Sequence, residues 1–148
     1  MPIPVLNRDG FLPAGIHDCT LDELKATFGR FQGRDQRPRL FGKLEEFLTA
    51  IRAAGLVRCL LVDGSFFTAK PDPNDIDLVV VVAAGHDFAT DLLPSQYNVL
   101  SKFRVRKRFG FDMVAVRENT TEFDEAAAFF QQVRNQPHLR KGILKGNV

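Results

Sequence analysis

Apolar residues return with a helical period between positions 40 and 51: Leu40, Phe41, Leu44, Phe47, Leu48 and Ile51 share one face, and Gly55 follows where a helix end favours a left-handed residue. This predicts the longest amphipathic helix of the chain. The pattern then changes, because residues 56–62 and 76–82 are nearly continuous Val, Leu and Ile, as in strands covered on both faces. The first run stops at Asp63-Gly64. Residues 64–74 between them contain Lys-Pro-Asp-Pro-Asn, which is turn chemistry.

Weaker periodicities complete the outline. Thr20-Leu21-Asp22-Glu23 is a capping box opening a short helix that Gly29 ends, and residues 30–38 read as a charged loop. A helix is predicted over 94–103, followed by a basic stretch and a third strand over 109–116. Thr121 then caps a helix over 122–135, striped by Phe123, Ala126, Ala127, Phe130 and Val133. Residues 142–144 suggest a short edge strand, and the first 18 residues, with Pro2, Pro4 and Pro13, an irregular lead-in. No repeat or low-complexity linker interrupts the chain. The expectation is one α+β domain over residues 1–148, a small mixed β-sheet flanked by helices.

Composition narrows the class. The chain has 148 residues, 45% hydrophobic and 26% charged, enough for a core without disulfide or metal staples. Its longest apolar run, 78–84, is far short of the roughly 18 residues of a membrane span, and the first residues carry no signal pattern. With only Cys19 and Cys59, at no metal-ligand spacing, a cytoplasmic protein with reduced thiols is expected, without a membrane partner. Fourteen Phe against one Tyr point to aromatics that fill core. Charge is uneven: residues 100–148 carry 10 basic and 5 acidic side chains, a net +5, against 10 and 13, a net −3, in residues 1–99. Such asymmetry suits an anionic partner, whether nucleotide phosphates, nucleic acid or an acidic protein.

The stretch VDGSFFTAKPDPNDIDLVVVV holds the candidate chemistry. Asp75 and Asp77, two apart at the start of a strand, present their carboxylates to one face. Like charges held that close raise each other's pKa unless a cation sits between them, and oxygen-preferring divalent metals are the usual solution. Asp112 lies in the apolar segment FGFDMVAV, where an unpaired charge is costly to desolvate. Gly64-Ser65 ends a strand, where free N–H groups and a hydroxyl can hold phosphate oxygens. Metal-binding carboxylates beside a phosphate cradle suit phosphoryl or nucleotidyl transfer.

Gly64-Ser65, nine intervening residues, Asp75-Ile76-Asp77 and a later Asp112 together resemble the DNA polymerase β-type nucleotidyltransferase superfamily, over a core of about residues 40–117. The small bacterial minimal nucleotidyltransferases are similar in size. The resemblance implies a nucleotidyltransferase-like core in which Asp75, Asp77 and Asp112 are catalytic and ligate metal, two Mg²⁺ ions for which Mn²⁺ substitutes. Gly64 and Ser65 would hold the phosphates of a nucleoside triphosphate, with Thr68 and Lys70 as further nucleotide contacts. The implied reaction moves a nucleoside monophosphate, AMP from ATP, onto a hydroxyl of a protein or other macromolecule. The alternative is a non-catalytic nucleotide-binding or antitoxin-like module that binds a protein partner, since small members of the superfamily act as antitoxins. Two features depart from the pattern. Asp63 occupies a position that is apolar in the superfamily, and the large helical domain that recognises acceptors in most members is missing.

Each motif has a plainer reading beside it. Asp75 and Asp77 fit a solvated strand entrance, and Gly64-Ser65 alone a turn. Asp112 could pair with Arg106 or Arg108, and Lys70 could be a solvated turn lysine. His17, His86 and His138 lack an evident partner. The basic run over 102–108 reads either as a solvated face or strand edge, or as a phosphate or RNA contact surface. Lys141 and Lys145 rank below these.

Overall fold

The computed structural model describes residues 3–30, 35–70, 73, 75–133, 136 and 138–148. Five strands, β1 (Gly15–Asp18), β2 (Val57–Asp63), β3 (Asp77–Val82), β4 (Asp112–Arg117) and β5 (Gly142–Asn147), form one mixed sheet in the order β1-β5-β2-β3-β4. The central pairs β5-β2 and β2-β3 are antiparallel, whereas the outer pairs β1-β5 and β3-β4 are parallel. Five helices flank it: α1 (Leu21–Phe28), α2 (Gln36–Ala54), α3 (Pro94–Leu100), α4 (Lys102–Phe109) and α5 (Thr121–Phe130). The chain is therefore the α+β protein its patterning predicts. Among the described residues no helix is long and apolar enough to cross a membrane.

Strand alternation builds two cores. Leu60, Val62, Leu78, Val80 and Met113 face one side, where Phe41, Leu44, Phe47 and Ile51 of α2 meet Val99, Val105 and Phe109 of α3 and α4. Cys59, Leu61, Val79, Val81, Val116 and Ile143 face the other, under Phe123, Ala126 and Ala127 of α5. Both faces of β2 and β3 are thus covered, which is why their sequences lack alternation.

Several boundaries differ from the sequence expectation. The predicted edge strand over 142–144 runs over Gly142–Asn147 and is interior, because β1, in the supposed lead-in, pairs with its outer side. Helix α2 begins at Gln36, so Arg37 and Pro38 belong to its first turn and not to a loop; residues 31–34 of that loop lie outside the described ones. The predicted 94–103 helix is two helices, and the basic stretch is itself α4, capped by the Ser101 hydroxyl accepting from Arg104 N–H at 3.4 Å and closed by Gly110 at φ 80°. Phe109 ends that helix, so β4 starts at Asp112. For α5 the cap is Thr120, whose hydroxyl accepts from Phe123 N–H at 3.3 Å. That helix ends at Phe130; residues 134 and 135 of the predicted span lie outside the described ones.

Candidate functional site

The sheet register gathers the acids. Asp63, the last residue of β2, pairs with Asp77, the first of β3, and Asp77 pairs with Asp112, the first of β4. The alternation that turns Leu61, Val79, Val81 and Val116 toward α5 places these three carboxylates in one row at the end of that face. Asp75 lies two residues before Asp77. Around Asp77 burial first, then the charges of Asp75, Asp63 and Asp112, push its carboxyl up to about 6, against the pull of Lys141.

Each neighbour of Asp77 has its own partner. Asp75 accepts the Ser65 backbone N–H at 2.7 Å and the Ser65 hydroxyl, while its own N–H donates to Ser65 Oγ at 3.3 Å. Asp63, only 6% exposed, accepts from Lys141 Nζ at 3.0 Å. Burial raises the Asp63 carboxyl and Lys141 opposes that rise by charge and hydrogen bond. Asp112 meets Arg106 Nη1 at 2.5 Å in the open, with 71% of its side chain exposed. This corrects the argument from desolvation: Asp112 precedes the buried part of its strand, and the pairing with Arg106 is the one realised.

The Gly64–Lys70 loop is tightly fixed. Gly64 has φ 111°, and a Cβ there would stand 2.7 Å from the Asp75 carbonyl oxygen, so glycine alone lets the returning chain pass. Residues Ser65–Phe67 form a 3₁₀ turn, and Thr68 Oγ1 donates to the Ser65 carbonyl at 2.7 Å while accepting Lys70 N–H at 3.2 Å. Arg37, 4% exposed, reaches under this loop and donates to the carbonyls of Phe66 at 2.6 Å, Thr68 at 2.8 Å and Lys70 at 2.7 Å, and to that of Phe28 at 3.2 Å. Its guanidinium also lies 5.4 Å from the Phe66 ring centroid. Pro71, Asp72 and Asn74 of the predicted turn lie outside the described residues.

Over this loop opens a cleft of about 450 Å³, lined among others by Gly64, Ser65, Thr68, Lys70 and Lys141. All four residues expected to contact a nucleotide therefore line one cavity, and Ser65, bonded to Asp75, and Lys141, paired with Asp63, join it to the acids. The far wall is the lead-in at Asp9, Gly10 and Phe11, tied down by Ala69 N–H donating to the Gly10 carbonyl at 3.0 Å.

Three residues of the site carried little signal in the sequence. Asp63 stood out only as a departure from an apolar position. Lys141, 76 residues beyond Ser65 in numbering, arrives through the pairing of β5 with β2, a long-range contact without a local motif. Arg37 resembled any loop arginine; Pro38 in a first helical turn was the available hint. His17 donates its ring Nε2–H to the Pro13 carbonyl at 2.7 Å, and His86 lies at the opposite end of β3, so neither joins the site.

The oxygen donors suit a hard divalent cation, which would reverse the repulsion around Asp77. As they stand, the carboxylates are turned to Ser65, Lys141 and Arg106, and among the described residues no three His, Cys, Asp or Glu side chains form a group that grips a metal ion. A family of unknown function, DUF6932, matches residues 4–147, nearly the whole chain. The chain belongs to DUF6932. The match covers the lead-in, the Gly64–Lys70 loop, the acidic row and β5 alike. No curated protein and no solved structure matches the chain.

Proposed function

We propose that this member of DUF6932 is a magnesium-dependent nucleotidyltransferase of the DNA polymerase β type, moving AMP from ATP onto a hydroxyl of a protein or other macromolecule. The observation that carries the reading is the abutment of the cleft over the Gly64–Lys70 loop with the acids, Ser65 of its lining bonded to Asp75 and Lys141 paired with Asp63 at the end of the row Asp63-Asp77-Asp112. Gly64, Ser65, Thr68 and Lys70 hold the triphosphate. Asp75, Asp77 and Asp112 hold Mg²⁺, or Mn²⁺ in its place, which when bound offsets charge on the phosphates and on the entering and leaving oxygens. Attack by the acceptor hydroxyl on the α-phosphate expels pyrophosphate, and Asp112, exposed at the end of the row, assists removal of the hydroxyl proton. Two free thiols, Cys19 and Cys59, suit a reducing cytoplasm.

Helix α4 supplies the acceptor side. Arg104, Arg106, Lys107 and Arg108 are exposed on it beside Phe103 and Tyr97, which are 73% and 46% exposed. A cationic surface with accessible aromatics suits an anionic protein segment, and nucleic acid is the further candidate. A second reading has its own support: Asp112 and Asp75 are engaged by Arg106 and Ser65, as in a non-catalytic, antitoxin-like module that keeps the fold and binds a partner through α4.

Thermal-shift titration with the four nucleoside triphosphates, with and without Mg²⁺ or Mn²⁺, separates the two. The proposal expects at least one triphosphate to raise the midpoint in a metal-dependent way. No shift with any of them leaves the partner-binding module.

A further inference from the structure

Resting on the triphosphate reading of the cleft, we propose that Lys141 is a phosphate-binding residue of that cleft and that Asp63 is the anchor that holds it in position. The two sit on opposite sides of an antiparallel pair, Asp63 closing β2 and Lys141 immediately ahead of β5. Their side chains are 9% and 18% exposed, so the ammonium is fixed rather than solvated.

The backbone ahead of β5 is built to deliver Lys141 there. Its N–H donates to the Gln131 carbonyl at 2.9 Å, and the next N–H, of Gly142, donates to the Leu12 carbonyl at 2.8 Å. A Cβ on Gly142 would lie 2.0 Å from the Pro13 carbonyl oxygen, so the lead-in crosses in contact with the backbone at this point. Lys141 is thereby held between two segments, with its side chain lining the same cavity as Ser65, Thr68 and Lys70.

The chemistry follows from the donor count. An ammonium has three N–H donors and accepts nothing; one goes to Asp63 Oδ2, leaving two for other oxygens. Asp63 is also a neighbour of Asp77, so a lysine tethered to it stands where the acidic row meets the cleft. A triphosphate entering the cleft meets Lys70 on its exposed wall and Lys141 on its buried one. Asp9 lines the same cavity, so the two lysines must also offset an acid at its rim. A bare nucleoside monophosphate offers less charge for the same pair of lysines, and the contribution of Lys141 grows with the length of the phosphate chain.

The test compares wild type with Lys141→Met and with the double variant Asp63→Asn/Lys141→Met, the latter included because Lys141→Met alone strands a buried carboxylate and can cost the fold. Calorimetric titration uses the triphosphate that shifts the wild type most, its monophosphate, and inorganic tripolyphosphate. The proposal expects the double variant, folded by circular dichroism, to bind triphosphate and tripolyphosphate about tenfold more weakly, equivalent to roughly 1.4 kcal/mol, and monophosphate within about twofold. Unchanged triphosphate affinity in the folded double variant overturns it and leaves Lys141 a structural counter-ion. Equal loss for all three ligands overturns it too, since that marks a general disturbance of the cleft. If the wild type binds no triphosphate and no tripolyphosphate, the nucleotide reading itself falls, and this inference with it.

Discussion

At the β2 end of the acidic row, Asp63 is buried and its cation Lys141 is nearly buried with it; at the β4 end, Asp112 and Arg106 meet in solvent with 71% and 64% of their side chains exposed. The two ion pairs are similar in chemistry and opposite in consequence. A buried pair is weak support for stability in total, yet removing one partner leaves an uncompensated charge in low dielectric. An exposed pair is screened, and its loss is scarcely felt by the fold. The β2 end is therefore suited to hold geometry and the β4 end to exchange partners. That division matches the proposed roles, a fixed phosphate cradle on one side and an acceptor-facing acid on the other.

Breaking the fixed side should show the largest effects. Arg37→Met leaves four carbonyls without their charged donor, three of them in the loop between Phe66 and Lys70, and the expected loss is about 4 kcal/mol in urea denaturation. A loss below about 1 kcal/mol would mean that the loop holds itself. Next comes Lys141→Met, expected to cost about 3 kcal/mol at pH 7, most of it recovered when Asp63→Asn is added. Additive losses in the double variant would contradict the stranded-charge explanation.

Asp77 lies between the two ends and sharpens the comparison through pH. Its carboxyl is raised to about 6 from 3.8, so the folded state holds its proton more tightly than the unfolded one. The resulting cost is absent below about pH 4, grows as pH rises and is complete above about pH 6. Asp77→Asn should therefore be more stable than wild type at pH 7.5, by roughly 1 kcal/mol after allowance for solvent screening of a half-exposed group, with the gain shrinking at pH 5. Urea denaturation at the two pH values checks it; a gain that grows toward pH 5 would reverse the assignment. The smallest effect on the fold is expected at the open end. Replacing Arg104, Arg106 and Arg108 together by Gln should change stability by under about 0.5 kcal/mol and triphosphate affinity by less than about threefold. Acceptor labelling or partner binding should fall, and fall further in low salt, where the charges of α4 count most.

How far this was legible in the sequence follows from where each residue finds its partners. The runs at β2 and β3 were plain because both faces are covered, and the Thr20 capping box is local, with Glu23 N–H donating to Thr20 Oγ1 at 3.1 Å. Gly64-Ser65 and the two acids at 75 and 77 sit within one short stretch, so their grouping was visible too. Helix α4 was obscured by five cations in seven residues, although Val105 and Phe109, four apart and both buried, carried the helical signal. Strand β1, Gly-Ile-His-Asp, is too short to show a period and exists because β5 lies beside it. Its absence from the sequence reading made β5 look like an edge. Lys141 ranks low in the sequence for the same reason, since only the β5-β2 pairing brings it to Asp63.

The central claim is that Asp77 and its neighbours form a metal-dependent triphosphate site at this end of the sheet. The most direct measurement is triphosphate affinity as a function of Mg²⁺ concentration in wild type and in Asp77→Asn, with folding of both verified by circular dichroism. The account predicts that Mg²⁺ strengthens binding to wild type at least about tenfold, roughly 1.4 kcal/mol, and does little for the variant. Equal Mg²⁺ dependence in the two proteins, or triphosphate binding by wild type that ignores Mg²⁺ altogether, would contradict it.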